Sequence, residues 1–237
     1  MSQVTFCPTY RPGMMEYAHV AIDGPVASGK TTVARALARR LGFLYLDTGA
    51  MYRGLAASAL RAGASVTDEA ALLELAREQP IAVKLDAAAP LGFRVFAGGR
   101  ELGGELFSND VSTVVSAVAM HPRVRSEMVD RQRAIAAEGP VVMAGRDIGT
   151  VVLPHARVKI FLTATVDARV RRRLAELGGA GIAVDPNVLR VQIAERDRLD
   201  QTREASPLQA AGDAVVIDSS ALTVDEVVAR IAALVER

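Results

Sequence analysis

The chain has 237 residues, of which 50% are apolar and 23% are charged, with a formal net charge of +1. This length and composition allow a sizeable hydrophobic core, in one α/β domain or in a domain with an insert. The balanced charge argues against a dedicated nucleic-acid binder, the lack of an apolar run of about 18 residues argues against a membrane helix, and the single cysteine excludes an internal disulfide or a zinc site. We therefore expect a cytoplasmic protein without a membrane or nucleic-acid partner.

Residues 1–17 contain Pro8, Pro12 and Gly13 and little periodicity, so we expect a disordered tail there. Strands and helices are then predicted in alternation. The predicted strands cover residues 19–23, 43–46, 141–144, 158–162 and 215–217. The predicted helices cover residues 32–41, 48–62, 166–177 and 185–204, and a last helix follows a capping box at 223–226. This alternation predicts an α/β fold with a parallel sheet flanked by helices.

The segment 67–118 departs from the alternation. Two short predicted strands, 81–85 and 93–96, lie beside turns that are rich in glycine, proline and alanine. We therefore expect an inserted subdomain at 67–118, with residues 18–66 and 119–237 forming the core of the protein.

A phosphate-binding loop links the first predicted strand to the first predicted helix. Its residues match the pattern G-x-x-x-x-G-K-[ST] and are Gly24, Pro25, Val26, Ala27, Ser28, Gly29, Lys30 and Thr31. The glycines let backbone N–H groups and the helix N-terminus surround a phosphate chain, while Lys30 reaches the outer phosphates and the Thr31 hydroxyl ligates magnesium. Because the pattern lies between a strand and a helix, as it must, the sequence predicts binding of a nucleoside triphosphate.

The motif D-T-G-A-M-Y-R at 47–53 follows the second predicted strand. In a parallel sheet its position faces the phosphate loop, because ligands gather at the carboxyl ends of the strands. Thr48 offers a hydroxyl and Arg53 a guanidinium that can bind a phosphate through two hydrogen bonds. The alternative is ordinary capping of the helix by Asp47 or Thr48, with Arg53 on a solvated face.

The motif G-R-D-I-G-T at 145–150 follows another buried strand. Arg146 and Asp147 are poorly explained by packing, because both side chains resist burial unless they are paired. An internal salt bridge is the alternative to a binding site.

Two groups of charged residues have helical spacing. The first group consists of Arg196, Asp200 and Arg203, and the second consists of Arg169, Arg172 and Arg173. The first group spans about 60° of one helix face, which can hold a sugar and a phosphate or form a solvated ion-pair network. The second group can be a solvated or RNA-binding run, or a mobile arginine lid over transferring phosphates.

From residue 18 to residue 237 the sequence resembles the bacterial cytidylate (CMP) kinase family. Many families share the phosphate loop, whereas T-G-A-M-Y-R at 48–53 and G-R-D-I-G-T-V-V at 145–152 are much more specific, and K-I-F-L at 159–162 and E-R-D-R at 195–198 also match. The resemblance implies a nucleoside monophosphate (NMP) kinase fold with an inserted NMP-binding subdomain and an arginine-bearing lid near 166–186. It also implies Mg²⁺-dependent transfer of the ATP γ-phosphoryl group to CMP or dCMP, giving CDP or dCDP and ADP. We expect a monomer.

The resemblance also implies roles for individual residues. Around ATP it places Gly24, Pro25, Val26, Ala27, Ser28, Gly29, Lys30, Thr31, Thr32 and Arg169, with Thr31 as the metal ligand. Around CMP it places Thr48, Tyr52, Arg53, Ser116, Arg125, Arg146, Asp147, Arg196, Asp200 and Arg203. The catalytic residues that it implies are Lys30, Arg146, Arg172, Arg173 and Arg203. Phe107 stands where some members of the family carry a basic residue, so we leave it out of the site.

Two other functions remain open at this point. A P-loop kinase for a small hydroxyl acceptor, shikimate-like or dephospho-coenzyme-A-like, would need a carboxylate that orients the hydroxyl. A non-catalytic P-loop switch or RNA-binding regulator would instead use the arginine run at 169–173 and bind RNA in a salt-dependent way.

Overall fold

The computed structural model describes residues 19–86, 88–179 and 181–236, so the predicted tail at 1–17 lies outside the described residues. The strands are β1 (Val20–Asp23), β2 (Leu44–Asp47), β3 (Ile81–Leu85), β4 (Phe93–Ala97), β5 (Arg100–Leu102), β6 (Val141–Gly145), β7 (Val158–Thr163) and β8 (Val215–Asp218). The α-helices are α1 (Lys30–Leu41), α2 (Gly49–Ala62), α3 (Glu69–Glu78), α4 (Asn109–Val118), α5 (Pro122–Ala136), α6 (Val166–Gly179), α7 (Pro186–Thr202) and α8 (Val224–Val235). Within the described ranges, none of the helices has the length and apolar character needed to cross a membrane.

The main sheet has five parallel strands in the order β2-β6-β1-β7-β8. Every residue of the central strands β1 and β6 is buried, because helices cover both faces of the sheet. The register pairs Asp23 with Gly145 and Asp47 with Ala144, so the ends of three neighbouring strands lie side by side. The predicted parallel α/β fold is confirmed, and its carboxyl edge collects the loops that carry the sequence motifs.

Helix α1 follows the phosphate loop and packs against β6 and α8. Its buried residues Val33, Ala34, Leu37 and Ala38 recur at helical spacing, and it ends at Gly42, whose positive φ of 67° a glycine adopts without strain. The predicted capping box is also present at the start of α8, where Thr223 and Glu226 satisfy each other's backbone N–H groups. Local sequence signals therefore determine where α1 ends and where α8 begins.

The segment 67–118 forms a second, antiparallel sheet in the order β3-β4-β5. The two predicted strands are present, but the sequence analysis does not predict β5, α3 or α4. Helix α3 begins where the Asp68 carboxylate accepts the N–H groups of Ala70 and Ala71, and it buries leucines against α2 and α5. The glycine, proline and alanine residues of this segment suggested turns. The amphipathic spacing of its apolar residues and the Asp68 cap nevertheless stabilise a helix there. Helix α5 was not predicted either.

Helices α6 and α7 pack on each other around a small cluster that is separate from the main core. Val170, Leu189 and Ile193 are buried there, and Val26 of the phosphate loop packs against them. The predicted helix at 185–204 ends earlier than expected, at Thr202, and Arg203 has extended backbone angles. Arg203 is the C-cap of α7: its φ of −62° is still helical, its N–H donates to the Leu199 carbonyl at 3.2 Å, and its Nη1 lies 3.8 Å from the Asp200 Oδ1. Arg203 therefore lies beside Asp200, as its helical spacing predicted.

The chain turns back after α7 because it cannot continue as a helix into Pro207. The N–H of Leu208 donates to the carbonyl of Asp200 at 2.7 Å, and the Arg203 Nε donates to the Ser206 carbonyl at 2.6 Å. The turn thus binds the Arg203 side chain through the Ser206 carbonyl, while the guanidinium stays close to Asp200.

Candidate active site

The phosphate loop connects β1 to α1 in a backbone conformation that suits an anion. Gly24 has φ 150°, and a Cβ atom there would lie 2.1 Å from the Leu162 carbonyl oxygen of β7, so only glycine fits. Ala27 has φ 56° and Gly29 has φ 95°, which turns successive N–H groups toward one side of the loop. Gly29 then begins α1, whose N-terminus adds a partial positive charge. The predicted strand–loop–helix arrangement is confirmed.

Lys30 is buried at the base of the loop. Its Nζ donates to the Pro25 carbonyl at 2.6 Å and lies 3.4 Å from the Ser28 Oγ. Burial lowers the pKa of Lys30 well below its ordinary value, Arg146 acts in the same direction, and Asp47 and Asp200 oppose them. A bound polyphosphate would reverse this effect, because a nearby negative charge favours the ammonium form.

Thr31 and Thr32 are exposed at the start of α1. The Thr31 Oγ1 donates to the Asp47 Oδ2 at 2.8 Å, and the Asp47 Oδ1 accepts the Gly49 N–H at 3.0 Å. A hydroxyl and a carboxylate oxygen are hard ligands of the kind that Mg²⁺ takes together with phosphates and water. The described residues contain no group of three or more His, Cys, Asp or Glu side chains that could hold a metal by themselves.

Thr48, Tyr52, Arg125 and Asp147 meet across the carboxyl edge from α2, α5 and β6. The Thr48 Oγ1 donates to the Ala144 carbonyl at 3.1 Å and makes no capping bond, so Asp47 is the residue that caps α2. The Arg125 guanidinium lies over the Tyr52 ring, 5.4 Å from its centroid, and donates to the Asp147 Oδ2 at 2.5 Å. Burial raises the pKa of Tyr52 to about 12, so its hydroxyl stays neutral.

Arginines converge on the Asp200 carboxylate beside this group. The Arg146 Nε donates to the Asp200 Oδ2 at 2.7 Å, and the Arg203 Nη1 lies 3.8 Å from the Asp200 Oδ1. Arg203 also approaches the Asp147 Oδ1 to 3.9 Å. Burial tends to raise the pKa of Asp200, but the surrounding arginines outweigh it and hold this pKa below its ordinary value. Arg146 and Asp147 are thus both paired, as the salt-bridge alternative expected, but not with each other.

Positive charge exceeds negative charge in this cluster. Burial lowers the pKa of Arg196 to about 10, and the neighbouring Arg146, Arg53 and Arg173 add to the effect. In the part of the chain that the structure describes, the buried Arg196 Nε and Arg203 Nη2 have no hydrogen-bond partner. Buried guanidinium groups with unused donors and unbalanced charge form a site for an anion such as a phosphate group.

Arg53 is held by the inserted segment and not by a carboxylate. Its Nη1 donates to the Leu106 carbonyl at 3.1 Å and to the Ser112 Oγ at 3.0 Å, and its guanidinium lies 5.3 Å from the centre of the Phe107 ring. Ser116 follows Ser112 by one turn of α4 and is half-buried. The sequence analysis did not predict Ser112, which only the docking of α4 on α2 brings to Arg53.

The arginines of α6 contact the phosphate loop. The Arg169 Nη1 donates to the Val26 carbonyl at 3.3 Å and to the Asp197 Oδ2 at 2.5 Å. Asp197 was not predicted as a site residue, yet its other oxygen accepts the Val26 N–H at 3.4 Å. Its place in the E-R-D-R motif at 195–198 was the available signal.

Arg172 and Arg173 extend the same face of α6. The Arg172 Nη1 donates to the Ser28 carbonyl at 3.1 Å and to the Ser219 Oγ at 3.0 Å, which joins α6 to the phosphate loop and to the loop after β8. Arg173 pairs with Glu176 at 2.7 Å and is a third exposed, close to Arg53 and Arg196. The structure thus brings the predicted lid arginines to the phosphate loop and to the arginine cluster, while the neighbouring Arg171 is exposed.

Comparison with known proteins agrees with this geometry. The family model described as cytidylate kinase matches residues 20–237. A cytidylate kinase from Pelotomaculum thermopropionicum is 50% identical over 222 residues, which cover 94% of this chain and 97% of the relative. A cytidylate kinase from Geobacillus thermodenitrificans is 51% identical over 216 residues, which cover 91% of this chain and 95% of that protein. With a phosphate loop, an arginine cluster and this likeness over nearly its whole length, the chain belongs to the cytidylate kinase family.

Proposed function

We propose that the protein transfers the γ-phosphoryl group of ATP to CMP or dCMP, giving CDP or dCDP and ADP. The observation that carries the proposal is a second anion site next to the phosphate loop. There Arg146, Arg196 and Arg203 surround the Asp200 carboxylate, and Arg53 lies close to Arg146 and Arg196. A P-loop beside a separate phosphate site suits a kinase whose acceptor is itself a phosphate.

On the donor side, ATP phosphates lie on the loop residues Gly24–Gly29, with Lys30, Thr31 and Thr32 beside them. Thr31 and Asp47 provide the oxygen ligands for Mg²⁺, which neutralises phosphate charge when bound. Burial disfavours the charged form of Lys30, and the negative charge of bound phosphates compensates for this cost. The Lys30 ammonium group then stabilises the phosphoryl group during transfer.

On the acceptor side, Asp147 accepts a hydrogen bond from the exocyclic amine of cytosine. Its carboxylate uses one oxygen for Arg125 and holds the other 3.9 Å from Arg203, so it retains acceptor capacity. Arg125, Thr48 and Ser116 donate to the acceptors of the base, and Tyr52 lies against the nucleoside. Asp200 and Arg196 contact the pentose, while Arg53, Arg146 and Arg203 bind the CMP phosphate.

The chemistry needs positioning and charge neutralisation more than acid–base catalysis. The attacking oxygen belongs to a phosphate whose second pKa is about 6, so it is largely ionised at neutral pH. Preorganised arginines in a site with little water stabilise the charge that spreads over the transferring group. Arg172 and Arg173 supply such donors from the lid when α6 moves over the phosphates, and Arg169 supports the ATP site from the same helix.

The same proposal assigns functions to the parts of the chain. Residues 67–118 form the NMP-binding insert, since their own antiparallel sheet carries α4 to Arg53. Helices α6 and α7 form the lid around a separate apolar cluster. We propose that the enzyme is a monomer. We place the enzyme in the cytoplasm, where ATP and CMP are available.

The two alternative functions receive less support. A hydroxyl-acceptor kinase has no need of a second anion site, whereas Arg146, Arg196 and Arg203 gather around Asp200. An RNA-binding run needs exposed arginines, whereas Arg169 is buried and Arg172 donates to the phosphate loop. The charge of the run is therefore used inside the proposed site.

A panel of nucleoside monophosphates tests the proposed function. With ATP and Mg²⁺, release of ADP should be far faster with CMP and dCMP than with UMP, AMP or GMP, because a wrong base leaves buried hydrogen-bonding groups unpaired. Chelation of Mg²⁺ with EDTA should abolish turnover, and excess Mg²⁺ should restore it. Equal kcat/KM for AMP and CMP would contradict the proposal, and fast ATP turnover without any monophosphate would favour the switch alternative.

A further inference from the structure

Asp23 is a buried carboxylate that none of the proposed roles uses. It is the last residue of β1, directly before Gly24 of the phosphate loop, and is 4% exposed. Its Oδ1 accepts the Ile148 N–H and its Oδ2 accepts the Gly149 N–H, both at 2.8 Å. The two bonds join positions that are 125 and 126 residues apart in the chain.

The N–H groups that Asp23 accepts begin the short π-helical turn at Ile148–Val152. The first N–H groups of a helix have no partner inside the helix and need a cap. Asp147 occupies the capping position but makes no capping bond, because its carboxylate binds Arg125. Asp23 therefore provides, from another strand, the cap that Asp147 cannot provide while it serves the acceptor site.

The turn that Asp23 caps carries Arg146 and Asp147. One end of this segment is fixed by the sheet, since Gly145 is the register partner of Asp23 in the parallel pair of β6 and β1. The other end is fixed by the two bonds to the Asp23 carboxylate. The segment 145–149 is thus held next to Asp23 at both of its ends, and Asp23 directly precedes the phosphate loop.

We propose that Asp23 is a positioning residue that sets Arg146 and Asp147, and through them the acceptor nucleotide, relative to the phosphate loop. The proposal rests on the proposed function, in which these two residues bind the phosphate and the base of CMP. Asp23 itself touches neither nucleotide and acts through the turn.

The ionised carboxylate is the form that can hold the turn. Burial raises the pKa of Asp23 to about 6; the N–H groups of Gly149 and Ile148 lower it, Asp147 raises it, and Lys30 lowers it. Above this pH both oxygens accept an N–H group, whereas a protonated carboxyl has an O–H that faces one of them. The Asp23→Asn variant has the same defect at every pH, since one side of the introduced amide is an NH₂ donor that faces a backbone N–H.

Kinetics of Asp23→Asn test the role directly. We expect KM for CMP to rise at least about tenfold, the effect of losing a hydrogen bond to a charged group, with ATP affinity measured alone changed less than about twofold. Asp68→Asn is the matched control, because Asp68 also accepts two backbone N–H groups but caps α3 on the surface. It should leave both constants unchanged. Wild-type CMP kinetics in Asp23→Asn, or equal losses for ATP and CMP, would overturn the proposal.

A second measurement uses the wild-type protein and does not depend on how the variant folds. In ¹H–¹⁵N spectra without nucleotides, the amide signals of Ile148 and Gly149 should titrate together with a midpoint near the Asp23 pKa of about 6. Ile148 and Gly149 amide signals that share no common titration midpoint between pH 3 and pH 8 would refute the capping geometry. If the wild-type protein shows no preference for CMP, the proposed function fails. If the wild type prefers CMP and Asp23→Asn keeps both this preference and the wild-type KM for CMP, only the inference about Asp23 fails.

Discussion

Replacing Asp200 by alanine removes the one carboxylate at the centre of the arginine cluster. Its side chain is 13% exposed and its oxygens lie 2.7 Å from Arg146 and 3.8 Å from Arg203. Breaking a buried pair in this way costs about 3–5 kcal/mol, because the partner charges stay behind unpaired. Because the side chain keeps some solvent contact, we expect the low end, about 3 kcal/mol, which for a chain of this size lowers Tm by roughly 6–12 °C.

The kinetic effect of Asp200→Ala should be confined to the acceptor. We expect kcat/KM for CMP to fall at least about tenfold, or about 1.4 kcal/mol of transition-state stabilisation, while ATP affinity stays the same. Inorganic phosphate should stabilise the variant against heat more than it stabilises the wild type, because the cluster has lost its own negative charge. Steady-state kinetics measures kcat/KM for CMP, and titration calorimetry measures ATP affinity. Scanning calorimetry with and without phosphate measures the stabilisation by phosphate.

Glu195→Ala is the control for these measurements. Glu195 also pairs with an arginine of α7, Arg198, at 2.7 Å, but both side chains are more than half exposed. An exposed pair contributes at most about 1 kcal/mol, so Tm and kinetics should hardly change. Wild-type kinetics in Asp200→Ala would refute the pentose role and leave Asp200 with a structural function alone.

Two further substitutions test the two halves of the site. Lys30→Ala should lower kcat about a hundredfold or more with the fold intact, as when one preorganised donor is deleted, and an active variant with normal circular dichroism would show that the loop is not the donor site. Phe107→Ala should raise KM for CMP about two- to fivefold at unchanged kcat, because an exposed cation–π contact to Arg53 is worth about 0.5–1 kcal/mol. Phe107→Leu keeps apolar cover without the ring and should behave like Ala; wild-type KM values in both would end this interpretation of Phe107.

The donor half of the site could be predicted from the sequence because it is local. The phosphate loop, its strand and its helix are contiguous, and the positive φ angles of Gly24 and Gly29 suit the residue that the motif requires at both positions. The parallel sheet was predictable for the same reason, since each strand is a short apolar run followed by a helical pattern. Family resemblance added the acceptor residues, whose roles remain predictions.

The partners of the arginines could not be predicted in this way. Arg146 pairs with Asp200, 54 residues away, and Arg169 with Asp197, 28 residues away, although nearer carboxylates were available in the sequence. Which pairing forms depends on how α6 and α7 dock and on where α7 ends. The approach of Arg203 to Asp147, which helical spacing did not reveal, is a further case.

The strand order has a consequence for how the protein is made. Strand β1 precedes the phosphate loop near the start of the chain, but both of its neighbours, β6 and β7, are encoded more than a hundred residues later. During synthesis the loop therefore emerges long before the strands that hold it, and its two flanking pairings close only after Thr163 has left the ribosome. Such distant pairings form slowly, because the entropy of closing a long loop is lost before any contact compensates for it. The nascent chain thus carries its apolar first strand unpaired through most of translation, a period in which early-folding helices or a chaperone would have to cover it.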